Sequence, residues 1–240
     1  MNSSAADIEN RTSFTPDWTN TAADAPRAVY VRRFEYPRGY VGNQHSHRLI
    51  QIVYPIRGLA RVATPIGEWI AAPGRGVGIP SWIPHCVSAD GNALLYSVFI
   101  DPRIHEKVVD EASTLAVSAL LHELIRESGR LYVDYDRNSV GGSIAALMIE
   151  LLKASRAETG ATWLPPVTNM RLRDALASVP IADLRAARVA QAAAYSERQF
   201  ARLFRENTGL AFREWRTLHR LHESTRLLAR GNSVANTAAE

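Results

Sequence analysis

Arg198, Arg202 and Arg205 stand at i, i+4 and i+7, a spacing that stacks three guanidinium groups on one face of a helix. Phe200, Leu203 and Phe204 stand at i, i+3 and i+4 between them and form an apolar stripe on the other face. One side can bury against a helical core while the other meets a polyanion. Arginine suits that role because its planar fork bonds two acceptors at once, on a phosphate or on a guanine edge. Ser196 precedes the run and reads as the N-cap, its hydroxyl accepting from a free amide of the first turn. A shorter helix from Val189 ends in a tight turn at Ala194–Tyr195, so the whole reads as helix, turn and helix.

The charge distribution agrees. Residues 168–240 hold 12 Arg and no Lys against 7 acidic residues, a net of +5. The remaining 167 residues hold 16 basic and 17 acidic side chains, a net of −1. All the excess positive charge lies beside the arginine face, as a phosphate-binding module requires.

The stretch Arg198-Gln-Phe-Ala-Arg-Leu-Phe-Arg-Glu-Asn-Thr-Gly209, with Ala190 and Ser196 before it, resembles the first helix–turn–helix of the AraC/XylS transcription regulators. Phe212-Arg-Glu-Trp-Arg, Arg220-Leu221 and Leu227-Leu228 resemble the long helix that follows in that family. Ala194 stands where the family usually has Gly. The resemblance implies sequence-specific binding to double-stranded promoter DNA. Arg198 and Arg202, with Gln199 beside them, are the base-edge candidates, Arg205, Arg213 and Arg216 the phosphate candidates, and Ser196 a further DNA-binding candidate. It also implies a second helix–turn–helix unit, of which Val234–Glu240 resembles only the start. By that comparison the chain is expected to be truncated within the second unit.

Imidazoles are the second chemically suggestive group. His45 and His47, two apart in a stretch that reads as a strand, project to the same face. Two patterns surround them, Gly39-x5-His45-Ser-His47-x3-Gln51-x6-Gly58 and Gly74-x5-Pro80-Ser-Trp82-Ile-Pro84-His85. Together these resemble the two motifs of the cupin family, a small jelly-roll barrel. The resemblance implies that His45, His47, Gln51 and His85 occupy the positions that hold a divalent metal in many cupins. Gln51 replaces a Glu there, and Trp82 a Gly. Three imidazoles and an amide oxygen suit Fe, Mn, Ni, Cu or Zn, and the sequence does not choose among them. The same residues can instead line an organic-ligand pocket, with Tyr54, Trp69 and Trp82 as candidate aromatic walls. Cys86, beside His85, is expected to point to the opposite face and to be a small buried residue. An alternative reading is a metal-dependent cupin enzyme, of dioxygenase or isomerase type, with a helical interaction module. No further acid–base pair accompanies the histidines.

The elements that must position these groups follow from patterning. Between Ala28 and Ile100, short Val-, Ile-, Tyr- and Leu-rich runs are punctuated by Gly and Pro, which predicts a β-sandwich or barrel. Glu111–Ser128 and Val140–Arg156 read as helices that pack on the barrel or pair two subunits as a homodimer. Gly160–Pro166 reads as a linker stiffened by Pro165 and Pro166. His105 and His122 read as surface residues, and His219 with His222 as an exposed helix face. The expected fold is α+β: a flexible arm over 1–26, on which Phe14 and Trp18 could dock, then a cupin-like barrel over 27–102. A helical linker over 103–160 and an all-α helix–turn–helix domain over 168–240 complete it. A single cysteine excludes an intrachain disulfide and fits a reducing cytoplasm. No apolar run is long enough to span a bilayer. The expected protein is a cytoplasmic regulator in which a small-molecule effector or metal in the barrel controls the DNA reader.

Overall fold

We describe residues 27–103, 108–130, 135–155, 157–158 and 162–239 of a computed structural model. The expectations for the arm over 1–26, for His105 and for the first residues of the linker fall outside them. The chain forms two compact units, residues 27–64 with 69–158 and residues 65–68 with 162–239.

The first unit is built from antiparallel strands. They are β1 (Val29–Tyr36), β2 (Tyr40–Val41), β3 (Ile50–Arg57), β4 (Ala60–Thr64) and β5 (Gly67–Ala71). β6 (Arg75–Ile79), β7 (Cys86–Ala89), β8 (Ala93–Ile100), β9 (Ser113–Ala116) and β10 (Ala157–Glu158) follow. One sheet runs β1-β8-β3-β6-β9-β10, and a second runs β5-β4-β7-β2 within this unit. In the first sheet Gln51 pairs with Phe99 and with Ile79, and Val53 with Ser97 and with Val77.

Strand alternation divides that sheet into two faces. Val29, Val31, Ile50, Ile52, Tyr54, Val98 and Ile100 share one core, with Leu121 and Ile125 of α1 (Ala119–Ser128) and Met148, Ile149 and Leu152 of α2 (Val140–Ala154). Gln51, Val53, Ser97 and Phe99 point the other way, into the barrel. The side-chain oxygen of Ser118 accepts from Leu121 N and caps α1, which starts eight residues later than expected. The preceding Ser113–Ala116 is β9, paired with β6, so Leu115 reaches the core from a strand and not from a helix. The apolar stripes of the two helices are only partly buried, because Leu120 and Leu147 lie in solvent.

The second unit is helical after β11 (Trp163–Leu164). It contains α3 (Met170–Ser178), a 3-10 turn at Ile181–Asp183, α4 (Ala186–Ala192), α5 (Glu197–Thr208), α6 (Phe212–Ala229) and α7 (Val234–Ala239). Leu172, Ala175, Leu184, Val189, Phe200, Phe204, Phe212 and Trp215 form its core. The Phe204 ring meets Phe212 and Trp215 edge-on, with centroids 5.2 and 5.5 Å away. Such edge-to-face pairs add about 0.5–1.5 kcal/mol beyond the area they bury. The Trp215 indole N–H donates to Pro165 O at 3.0 Å, so the paired prolines anchor on the core.

Candidate functional sites

The helix–turn–helix is assembled by local signals. α4 ends at Ala192, and Ala194 takes a left-handed conformation with φ 51°. Arg171 braces this turn: its guanidinium donates to Ala194 O at 3.3 Å and lies 4.4 Å over the Tyr195 ring. α5 then opens with a capping box. Ser196 Oγ accepts from Gln199 N, while Gln199 Oε1 accepts from Ser196 N at 3.1 Å. α5 ends at Gly209, with φ 75°.

Phe200, Phe204 and Thr208 face inward from α5. Arg198, Gln199, Arg202 and Arg205 are all exposed on the opposite side. Arg202 Nη1 lies 3.0 Å from Glu206 Oε1, an i,i+4 pair with both side chains in solvent. Such a pair holds about 0.3–0.5 kcal/mol. A bidentate arginine–guanine contact is worth about 1–3 kcal/mol, so the pair orients Arg202 without locking it. Gln199 has its oxygen engaged in the cap, which leaves its amide N–H groups facing out. Ser196 has its hydroxyl engaged in the same cap.

On α6, Arg213 differs from Arg216 and Arg220. Arg213 is exposed at the start of α6. Arg216 is half-buried and donates to Leu184 O at 3.1 Å, and Arg220 donates to Ile181 O and Ala182 O. These two satisfy carbonyls of the 3-10 turn and of Leu184 after it, and so brace the fold. Sequence spacing could not separate Arg216 from Arg213, because the separation depends on where the 3-10 turn lies. The structure also revises the reading of α6. His222 is buried, and His219 stacks on Trp215 with centroids 4.8 Å apart. The residues read as an exposed face belong to the packed side of the helix.

In the barrel, His45 and His85 pair through backbone hydrogen bonds in both directions, at 2.9 and 2.8 Å. That pairing brings together rings forty residues apart. The ligand nitrogens of His45, His47 and His85 all lie within 4.8 Å of one another. His47, Gln51 and His85 are 2, 5 and 1 % exposed, and His45 is half-buried at the mouth. Each ring has its Nδ1 at 2.9 Å from a backbone carbonyl: His45 to Asn43 O, His47 to Leu49 O and His85 to Ile83 O. A carbonyl can only accept, so each Nδ1 carries a proton, and in the neutral ring the lone pair is on Nε2. Burial lowers the pKa of His47, and it pushes that of His85 down to about 3.

Gln51 Oε1 stands 3.0 Å from His47 Nε2 and 3.1 Å from His85 Nε2, and Gln51 Nε2 lies 2.9 Å from Ser97 Oγ. Neutral imidazole lone pairs and an amide oxygen thus converge, with carbonyls fixing the tautomers from behind. That is the donor set and the backing of a divalent-metal site, and the residues fit one. Sequence reading missed Ser97, a serine inside an apolar strand. Its parity with Gln51 across the β3–β8 ladder was the available signal.

Two expected pocket residues lie elsewhere. Tyr54 is three residues from Gln51 and therefore points to the opposite face. It is buried beneath the helices, with its hydroxyl 2.7 Å from His122 Nδ1. His122, read as a surface residue, is thus partnered, and Tyr54 does not wall the barrel. Trp82 is 59 % exposed, while its backbone N–H donates to His47 O at 2.8 Å. Its φ of 62° is left-handed, which accounts for the Gly expected there. Trp69 is buried. Cys86 Sγ turns from the histidines to donate to Gly42 O at 3.0 Å.

Residues 189–240 match a family described as a helix-turn-helix domain. The HTH-type transcriptional regulator NimR of Escherichia coli K12 is 27 % identical over 198 residues, covering 81 % of this chain and 71 % of NimR. Among solved structures, apo ToxT from Vibrio cholerae covers 86 % of this chain and 85 % of its own, at 12 % identity and a TM-score of 0.40. An RmlC-like cupin from Shewanella frigidimarina covers 34 % of this chain and 72 % of its own, at 21 % identity and a TM-score of 0.30. The chain thus carries a helix–turn–helix domain over residues 189–240 and is similar along most of its length to an HTH-type transcriptional regulator.

Proposed function

We propose that α5 reads promoter DNA in the major groove and that the barrel governs this reading by holding a metal ion or a small molecule. The observation that carries the proposal is the division of α5. Its aromatic side is packed into the core, and Arg198, Arg202 and Arg205 stand free of that core on the other side. Arg198 and Arg202, with Gln199 beside them, are the base-reading candidates, and Arg205 and Arg213 are the phosphate contacts. The effector acts through unequal affinity for two states of the regulator. The convergent Nε2 atoms of the barrel support a divalent metal, bound by His45, His47 and His85 with Gln51 Oε1 as a fourth donor. The ion would supply a fixed positive charge at the barrel centre. We place the protein in the cytoplasm as a homodimer. The solvent-exposed Leu120, Val140 and Leu147 on α1 and α2 offer an apolar surface for pairing.

The test is selection of the full chain on a random-sequence duplex pool at two salt concentrations. The expected result is enrichment of a common sequence, with affinity falling steeply as salt rises. An Arg198→Ala/Arg202→Ala/Arg205→Ala variant with an unchanged melting temperature should enrich nothing. An unenriched pool from the parent protein, or equal enrichment by the triple variant, would rule the proposal out.

A further inference from the structure

The Gln51 carboxamide presents one atom to two imidazoles and the other to Ser97. Both imidazoles have committed their single proton to a backbone carbonyl, at Leu49 and Ile83. His47 Nε2, His85 Nε2 and Gln51 Oε1 are therefore three acceptors facing one another in a buried space with no proton among them. Such a cluster is unfavourable as it stands, and two arrangements relieve it. In one, a cation takes the lone pairs and the amide NH2 donates to Ser97 Oγ. In the other, the amide turns over by half a rotation about its last bond. Its two N–H groups then serve His47 and His85, one each, and the Ser97 hydroxyl donates to the amide oxygen. Every polar atom among the four side chains is then matched without an ion.

We propose that Gln51 and Ser97 form a two-position switch that makes metal occupancy of the barrel reversible, with the amide oxygen inward when an ion is bound and the amide NH2 inward when it leaves. The inference rests on the metal-holding role proposed for the histidines. Serine suits its part because a hydroxyl both donates and accepts, so it serves either position of the amide. A carboxylate at 51 has no proton to give the imidazoles. It would favour the loaded site and leave the empty one unsatisfied.

The experiment uses the full chain, stripped with a chelator and titrated with Zn(II). Gln51→Glu should bind Zn(II) more tightly than the parent and melt lower than the parent when metal-free, so that the two melting temperatures exchange order on loading. Ser97→Ala should lower the melting temperature of both states and change the Zn(II) affinity less than about tenfold. A residue supporting only the loaded ligands typically costs about 10–100-fold in affinity. The Gln51 side-chain amide signal, identified by its loss in Gln51→Glu, should shift between the metal-free and Zn(II)-loaded parent. This spectrum decides the matter even if a variant fails to fold. Should the parent bind Zn(II) with a stationary amide signal, or Ser97→Ala lose a hundredfold in affinity, the switch is wrong and the metal site stands. Failure of the parent to bind Zn(II) at all removes the metal role, and the switch with it.

Discussion

The histidine pocket gathers its residues from separate stretches, at 45–51, 85 and 97, whereas the arginine face of α5 is written continuously over 198–205. His47 and His85 are buried, and desolvation disfavours their charged form. The arginine face is solvated and cationic, and its chemistry needs little beyond a helix with one side packed. Burial therefore acts oppositely in the two places. In the barrel it turns ordinary histidines into fixed lone pairs. On α5 it acts on Phe200, Phe204 and Thr208, and through them aims the arginines outward.

The largest expected effect tests that dependence. Phe204→Ala should destabilise the helical unit by about 3–5 kcal/mol, read by denaturant unfolding. A loss below about 1 kcal/mol would show that α5 does not rely on its packed side. A second test asks whether charge can be held inside the barrel unit at all. Asp101 is buried at the end of β8, with Arg48 Nη1 and Arg103 Nη2 each 2.7 Å from its carboxylate. Burial alone would raise its pKa, but the hydrogen bonds from Arg103 and Arg48 outweigh that and hold it at about 2. The carboxylate thus stabilises the fold above its ordinary value of 3.8, and this contribution is lost as pH falls from there through about 2. Asp101→Asn should cost about 1.5–3 kcal/mol at neutral pH, and the gap to the parent should close near pH 2. A gap independent of pH would show that the charge is not what stabilises.

On the arginine face the effects are smaller and appear in binding. Arg202→Ala should cost about 1–3 kcal/mol on the selected sequence and relax preference at one position. Arg205→Ala should weaken binding on every sequence and flatten its salt dependence. The reverse pattern, measured by fluorescence anisotropy, would exchange their roles. The smallest change concerns the turn. Ala194→Gly should raise stability by up to about 1 kcal/mol, because φ there is left-handed and Gly adopts it freely. A melting temperature unchanged or lowered would mean that the Arg171 brace already absorbs the strain.

Both positions where this chain departs from an expected Gly, Trp82 and Ala194, are left-handed, and they are the only non-glycine residues with positive φ among the described ones. The departures were visible in the sequence, but the conformation they must adopt was not. β1, β3, β4, β5 and β8 were legible because their residues favour strands. β6, Arg-Gly-Val-Gly-Ile, was not, since glycine carries no strand preference. Its glycines mark close packing: a Cβ on Gly78 would lie 2.8 Å from Val109 Cγ2 and one on Gly76 3.1 Å from Ile52 Cγ2. β9 was mistaken for helix because Leu115 falls in step with the leucines of α1, and only its pairing with β6 decides the matter. Tyr54 was misplaced although its parity with Gln51 was plain.

By itself the sequence determined the two units, the helix–turn–helix with its cap and arginine face, and the histidines as the residues to watch. Those follow from periodicity, composition and signals a few residues apart, where local sterics and hydrogen bonding rule. Tertiary structure alone decided that His85 meets His45 and His47, that Ser97 completes the pocket, and that Arg216 and His222 turn inward. Each of these depends on strand register or helix packing between distant segments. Burial there sets protonation and hydrogen bonding, and neither is encoded by any single stretch of chain.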